Sequence, residues 1–277
     1  MGPTSSSLDI DLLGTRIRTI VDDLELAARL EHLLIDIRAS SGTPDEIFEI
    51  TGGDTQSDWV LRHNGKGIVQ SASRDRLVER FFATLNELVL DAFPGVAIHA
   101  GVVARGPCAI AIPGRSGAGK STLTAACVRA GFSYVSDEAL CIDRITGEVV
   151  PYPRPLMLSE TSHRLISPSQ PSGGESDTKV ALSPADIGGH TNSVALTLTD
   201  VILAERNSAL DLEPIPPSEV VAELLERCFE GHQQRAGTFE LLSSAVTDCR
   251  AWRLGYRNAL DAAALIRRAL PFSQPSR

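Results

Sequence analysis

The run Gly114-Arg115-Ser116-Gly117-Ala118-Gly119-Lys120-Ser121-Thr122 constrains the fold of this chain more than any other stretch. An apolar segment, Ala109-Ile110-Ala111-Ile112, precedes it, and Leu123-Thr124-Ala125-Ala126-Cys127-Val128 follows it. That order reads as strand, glycine-rich loop and helix, the setting in which G-x-x-x-x-G-K-[ST] cradles phosphate. Gly114, Gly117 and Gly119 allow positive φ and close backbone approach, so that successive N–H groups and the helix N-terminus face phosphoryl oxygens. Lys120 adds a point charge, and the Ser121 hydroxyl suits a Mg²⁺ ligand. The whole run, with Arg115, Ser116, Ala118 and Thr122 included, is expected to contact a nucleotide, with ATP and Mg²⁺ as the implied ligands.

Such a loop serves motors, switches, transporters and kinases alike, and the next acids narrow the choice. Gly131 ends the helix, 132–136 reads as a short strand, and Asp137-Glu138 falls at its carboxyl end. In an open α/β sheet that edge borders the phosphate loop. One carboxylate there can hold Mg²⁺ directly or through water. The other can orient an attacking hydroxyl and take its proton.

Residues 99–138, HAGVVARGPCAIAIPGRSGAGKSTLTAACVRAGFSYVSDE, resemble the catalytic core of the HPr kinase/phosphorylase family. That family has a His-Gly pair before its first core strand, a G-x-S-G-x-G-K-S loop, a helix closing in Gly, and an Asp-Asp pair. His99, Gly114, Ser116, Gly117, Gly119, Lys120, Ser121, Gly131 and Asp137 fall in register without a gap. The resemblance implies an α/β fold, a P-loop core with a mixed sheet of the HPr kinase type, preceded here by a smaller α+β N-terminal unit. It also implies Asp137 as the general base toward a seryl hydroxyl, Glu138 as support for the metal with Ser121, and His99 near the transferred phosphoryl group. Three departures stand out: Glu138 replaces the second Asp, Thr122 stands where the family usually has Glu, and Ala100 separates His99 from Gly101. Gly255-Tyr256-Arg257-Asn258 only faintly echoes the family's later phosphorolysis signature, so kinase activity is carried over and phosphorylase activity is not.

The relatives of that family include kinases acting on the C-terminal Ser of lasso-peptide precursors and others acting on free serine. The expected acceptor is therefore a hydroxyl, foremost a Ser of a peptide or small protein. A small hydroxyl compound such as free serine is one alternative. A regulatory ATPase or nucleotide switch with no acceptor is another.

Composition closes off other classes. The 277 residues carry 26 Lys plus Arg against 35 Asp plus Glu, a formal charge of −9, which argues against a broad nucleic-acid surface. No run approaches the ~18 apolar residues a membrane span needs, and the N-terminus lacks a signal-peptide layout. The cysteines at 108, 127, 141, 228 and 249 show no metal spacing and read as reduced core residues of a cytoplasmic protein. Met1-Gly2 with Ser6 fits a myristoylation pattern only formally, given Pro3. A homo-oligomer is compatible with all of this.

Along the chain, 1–95 reads as a first unit suited to substrate or partner recognition. It has a strand over Thr15 to Val21 and a helix marked by Leu26, Leu30, Leu33, Leu34 and Ile37. A hairpin turning at Asn64-Gly65 follows, then a helix from Ser73 with Leu77, Phe81, Leu85, Leu88 and Ala92 on one face. The kinase domain is expected over 96–277. Within it, 153–193 is rich in Pro, Ser and Gly and is expected to form a flexible lid, with Arg154 and Arg164 able to reach phosphate oxygens. A core strand is expected over Val194 to Glu205, a helix over Ser218 to Phe229, a strand over Ala251 to Tyr256, and a last helix facing the core with Leu260, Ala264, Ile266 and Leu270.

A transporter ATPase is rejected because Ser172-Gly173-Gly174-Glu175 lies too close to the loop and opens no amphipathic helix. A hydrolase elbow at Ser116 leaves Lys120 without a role.

Overall fold

The computed structural model describes residues 5–52, 58–114, 119–167, 179–207 and 209–270. The chain is α/β, with mixed sheets and seven α-helices among the described residues.

The N-terminal unit runs β1 (Ser6–Leu12), β2 (Thr15–Val21), α1 (Leu24–Leu33), β3 (Glu46–Gly52), β4 (Trp59–His63), β5 (Lys66–Ser71) and α2 (Arg74–Ala92). Its sheet has the order β1-β2-β3-β4-β5, with only β2 and β3 parallel because α1 crosses between them. Strict alternation buries Leu8, Ile10 and Leu12 on β1 and Ile17, Thr19 and Val21 on β2. Asp23 caps α1 by accepting from the Leu26 N–H at 2.7 Å, and Ser73 caps α2 through the Arg76 N–H. Asn64 (φ 48°) and Gly65 (φ 77°) make the expected tight turn between β4 and β5. β1 and β3 carry no turn signal as clear as Asn-Gly, and neither is among the sequence-based expectations.

The second unit follows Phe93-Pro94-Gly95: β6 (Val96–Arg105), β7 (Cys108–Pro113), α3 (Lys120–Arg129), β8 (Ser133–Ser136), β9 (Ala139–Ile142), β10 (Val149–Val150), β11 (Leu156–Leu158), α4 (Glu160–Ile166) and β12 (Val180–Leu182). It continues with β13 (Thr197–Arg206), β14 (Asp211–Ile215), α5 (Pro217–Glu226), α6 (Thr238–Thr247), β15 (Arg250–Tyr256) and α7 (Ala259–Ala269). The large sheet has the order β10-β9-β6-β7-β13-β15-β14, and β8 pairs with the second half of β6. β7, β13 and β15 are mutually parallel, while β6 and β14 run against their neighbours. α3 and α7 cover one face through Ile110, Ile112, Leu123, Ala262 and Ile266; α5 and α6 cover the other through Ala109, Ala111, Val220, Leu224 and Leu242.

Several expectations shift. The described parts of 153–193 are packed: β11 pairs with β12, α4 follows β11, and Ser183 and Asp186 form a capping box on a 3₁₀ turn over Pro184–Ile187. Short elements of three to seven residues give no readable period, which is why this order does not appear in the sequence pattern. The middle of the expected lid, 168–178, lies outside the described residues. β13 begins at Thr197, leaving Val194 63% exposed. On α7 the buried face is Ala259, Ala262, Ala263 and Ile266, with Leu260 turned outward.

The two units share one apolar cluster, in which Phe82, Leu85 and Leu90 of α2 meet Ala97, Cys141, Tyr152 and Met157. Polar bonds fix the seam. His232 accepts from the Ala97 N–H (3.3 Å) through Nδ1 and donates to the Leu90 carbonyl (2.8 Å) through Nε2. Arg235 donates to the carbonyls of Phe93 (2.6 Å), Gly95 and Asp91, taking up oxygens at the end of α2.

Candidate functional site

β6 is the strand on which the site is assembled. Its first half pairs with β9 and its second with β8, and the break between those two strands is Asp137-Glu138, opposite Ala100 and Gly101. Ser136 makes the break by accepting from the N–H groups of Glu138 (3.1 Å) and Ala139 (3.0 Å). On the other side of β6, the Gly114 N–H donates to the His99 carbonyl at 3.2 Å, tying the start of the loop to the same point. α3 then packs over β6 so closely that a Cβ at Gly101 would collide with Thr124 Oγ1. Gly119 closes the loop at φ +85°, and a Cβ there would come within 3.0 Å of the Tyr256 hydroxyl.

A cavity of about 300 Å³ opens at this edge. Gly119, Lys120, Ser121 and Thr122 line it from the N-terminal turn of α3, Asp137 and Glu138 from the strand break, and His99 from β6. Gly114 lies at the end of β7, and Arg115, Ser116, Gly117 and Ala118 lie outside the described residues. Ser159, Ser162, Lys179 and Arg206 complete the wall. Ser162 is hydrogen-bonded to Thr122 at 2.7 Å and to Ser159 at 2.9 Å. None of these four carries a motif. Arg206 ends a strand parallel to β7 and so reaches the same sheet edge, a placement visible only once the topology is known.

The two acids differ sharply. Asp137 is buried, and its carboxylate is engaged on both oxygens: the Met157 N–H donates to Oδ2 (3.2 Å), and Arg154 Nη2 stands 3.4 Å from Oδ1. The single Tyr134 hydroxyl proton lies between Asp137 Oδ1 (3.1 Å) and the Arg154 carbonyl (2.7 Å). Glu138 keeps its side chain 29% exposed, accepts from Arg154 Nη2 at 2.5 Å, and has Oε1 3.7 Å from His99 Nδ1. Arg154 is therefore the buried cation between the acids, with its side chain 4% exposed. Arg164 pairs with Glu160 on the surface and does not line this cavity.

Electrostatics follow the geometry. Burial pushes the Glu138 carboxyl up, but Arg154, His99 and Lys120 together outweigh it and hold it below its ordinary value. Burial lowers the Lys120 ammonium pKa against the pull of Glu138 and Asp137. His99 is also lowered, by burial first, with Glu138 opposing and Lys120 adding to the fall; its ring lies 3.6 Å from that of Phe229. At neutral pH the site thus holds an ionised Glu138 beside a neutral imidazole.

The segment Gly255-Tyr256-Arg257-Asn258 has local structural duties. Asn258 caps α7 through the Leu260 N–H, and a Cβ on Gly255 would collide with Asp211. Asp200, buried on β13, is satisfied by Arg250, Trp252 and Thr199 away from the cavity. Among the described residues no three His, Cys, Asp or Glu side chains converge as a metal site, and no helix is long and apolar enough to cross a membrane.

No protein-family model matches this chain, and no curated protein matches it.

Proposed function

We propose that the chain is a kinase that transfers the γ-phosphoryl group of ATP, with Mg²⁺, to a hydroxyl, foremost the hydroxyl of a serine. The observation that carries this reading is the convergence, in one cavity, of Lys120 and Ser121 at the start of α3 with an ionised, solvent-open Glu138. Its further support is the in-register resemblance of 99–138 to the HPr kinase/phosphorylase core.

The donor set fits Mg²⁺. The Ser121 hydroxyl is a hard oxygen ligand, and this ion takes one or two protein ligands, with Glu138 supporting it through water, while phosphate oxygens and water complete its shell. The bound ion would neutralise charge on the phosphoryl oxygens. Lys120 does the same from the loop side, and the α3 N-terminus presents N–H groups to them.

The roles of the two acids follow from their surroundings. Asp137 has both oxygens engaged, so its part is to hold Arg154, which in turn holds Glu138. Glu138 is the acid free to align an incoming hydroxyl and take its proton. The resemblance assigns the base to Asp137; the burial of that residue favours moving the role one position along. His99, neutral at pH 7, adds a polar wall beside the transferred group without adding charge.

The test is incubation of the purified chain with γ-labelled ATP and Mg²⁺ in the presence of serine peptides, free serine and a small carrier protein. Label in an acid-stable phosphate ester is the expected outcome. Label found only as inorganic phosphate, or on a carboxylate or an amine, overturns the reading.

A further inference from the structure

A second cavity, of about 620 Å³, lies on the other side of His99 and Glu138, between α2 and the core unit. It is within the size range of small-ligand sites. It shares His99, Glu138, Met157 and Lys179 with the first cavity, so a molecule held there abuts the point where the γ-phosphoryl group would be.

Its far wall is acidic. Glu79, Glu87 and Asp91 lie on one i, i+4 ridge of α2, and Glu230 joins them from the segment after α5. None of the four makes an ion pair or a side-chain hydrogen bond among the described residues. Like charges four residues apart, as at Glu87 and Asp91, disfavour a helix, while Lys179 and the Arg154 guanidinium that pairs with Glu138 are cations lining the same cavity. A second observation is independent of the acids. Arg154 lines the same cavity beside Glu138, nine-tenths buried, and its Nε–H has no hydrogen-bond partner among the described residues. An oxygen of a molecule bound against Arg154 would supply the missing acceptor.

We infer that this cavity holds the phosphoryl acceptor, and that the acceptor is a hydroxyl compound bearing a positive charge, an ammonium or a guanidinium. This rests on the kinase reading above and adds the substrate class. The charge faces Glu79, Glu87, Asp91 and Glu230, where low-dielectric walls focus the field, while the hydroxyl reaches Glu138. In the transfer, the hydroxyl oxygen bonds to the γ-phosphorus as the bond from that phosphorus to the β–γ bridging oxygen breaks. ADP leaves with the electron pair, and the hydroxyl proton passes to Glu138. Two sources share this chemistry, a small amino alcohol and a serine beside Lys or Arg in a peptide.

The experiment measures label transfer from γ-labelled ATP to two matched series. One is ethanolamine, ethylene glycol and glycolate; the other is a serine peptide with Lys, Gln or Glu at the flanking positions. The cationic member of at least one series should be labelled tenfold or more faster than its neutral partner, and which series responds identifies the source. E87K/D91K, at two exposed positions, should remove that preference at least tenfold while ATP affinity stays within about threefold. Labelling without a charge preference, or a preference that survives E87K/D91K, overturns the inference and leaves the kinase reading standing. ATP binding with no label on any acceptor overturns both.

Discussion

The cavity beside the α3 N-terminus and the cavity beneath α2 meet at His99 and Glu138, yet they are made from different kinds of sequence. The first is built from Gly119, the helix turn after it and a strand break a few residues beyond that helix. The second is built from α2, the segment at Phe229 and Glu230, and Lys179, which come together only through the packing of the N-terminal unit on the core. The phosphate site proposed for the first cavity would need backbone N–H groups in a fixed local conformation, which short-range spacing can encode. A site for an acceptor needs side chains from distant segments, and no spacing rule records those.

The sharpest way to break this division is to remove the cation that holds Glu138, an acid both cavities share. Arg154→Met leaves Asp137 buried without its cation, and removing one partner of a buried pair costs about 3–5 kcal/mol. For a chain of this size each kcal/mol lowers Tm by about 2–4 °C, so thermal denaturation should show a loss of about 6–20 °C. An unchanged Tm would mean that Arg154 does not hold the two acids.

A smaller effect should separate the donor side from the acceptor side. Gly101→Ala forces β6 and α3 apart at Thr124, an overpacking that costs about 1–3 kcal/mol. The expected outcome is weakened ATP binding with the α2 seam intact, partly restored by adding Thr124→Ala. Failure of the double variant to recover would show that the contact is not what requires glycine there.

The smallest effect belongs to the acceptor side and depends on pH. Burial lowers the His232 pKa in the folded chain, and as a neutral ring it accepts from Ala97 and donates to Leu90. The unfolded chain binds the extra proton first, so this contribution is full above an unfolded pKa of ~6.5 and is lost as pH falls from there through the folded value. Thermal melts between pH 7.5 and 5.5 should therefore fall more steeply for the native chain than for His232→Gln. Equal slopes would remove His232 as the titrating clamp of α2.

The same division explains what could be read beforehand. The capping Ser73, the Asn64-Gly65 turn, and the long apolar periods of α1 and α2 are local signals, and the elements form where those signals put them, except that α1 stops at Leu33 and Ile37 falls on a separate 3₁₀ turn over Ile35–Ile37. The strand, helix and strand around Lys120 do so as well. What escaped was set by tertiary contact. Arg154 looks like a phosphate-reaching arm in sequence, but it is drawn inward because Asp137 and Tyr134 are buried beneath the break in the sheet. β11, α4 and β12 are too short to show a period, and Ser162, Lys179 and Arg206 reach the cavity only because those pieces and β13 deliver them there. The adjacency of Asp137 and Glu138 is plain in sequence, but which of them faces solvent depends on the Ser136 turn.

That last distinction is the centre of the account, and one comparison tests it. Phosphoryl transfer to a serine hydroxyl should be measured for Glu138→Gln with ATP affinity determined on the same sample. Transfer lowered at least a hundredfold, with ATP bound within about threefold of the native chain, is the predicted result, in line with the ~10²–10⁴-fold contribution of general base catalysis. Native turnover in Glu138→Gln would contradict it.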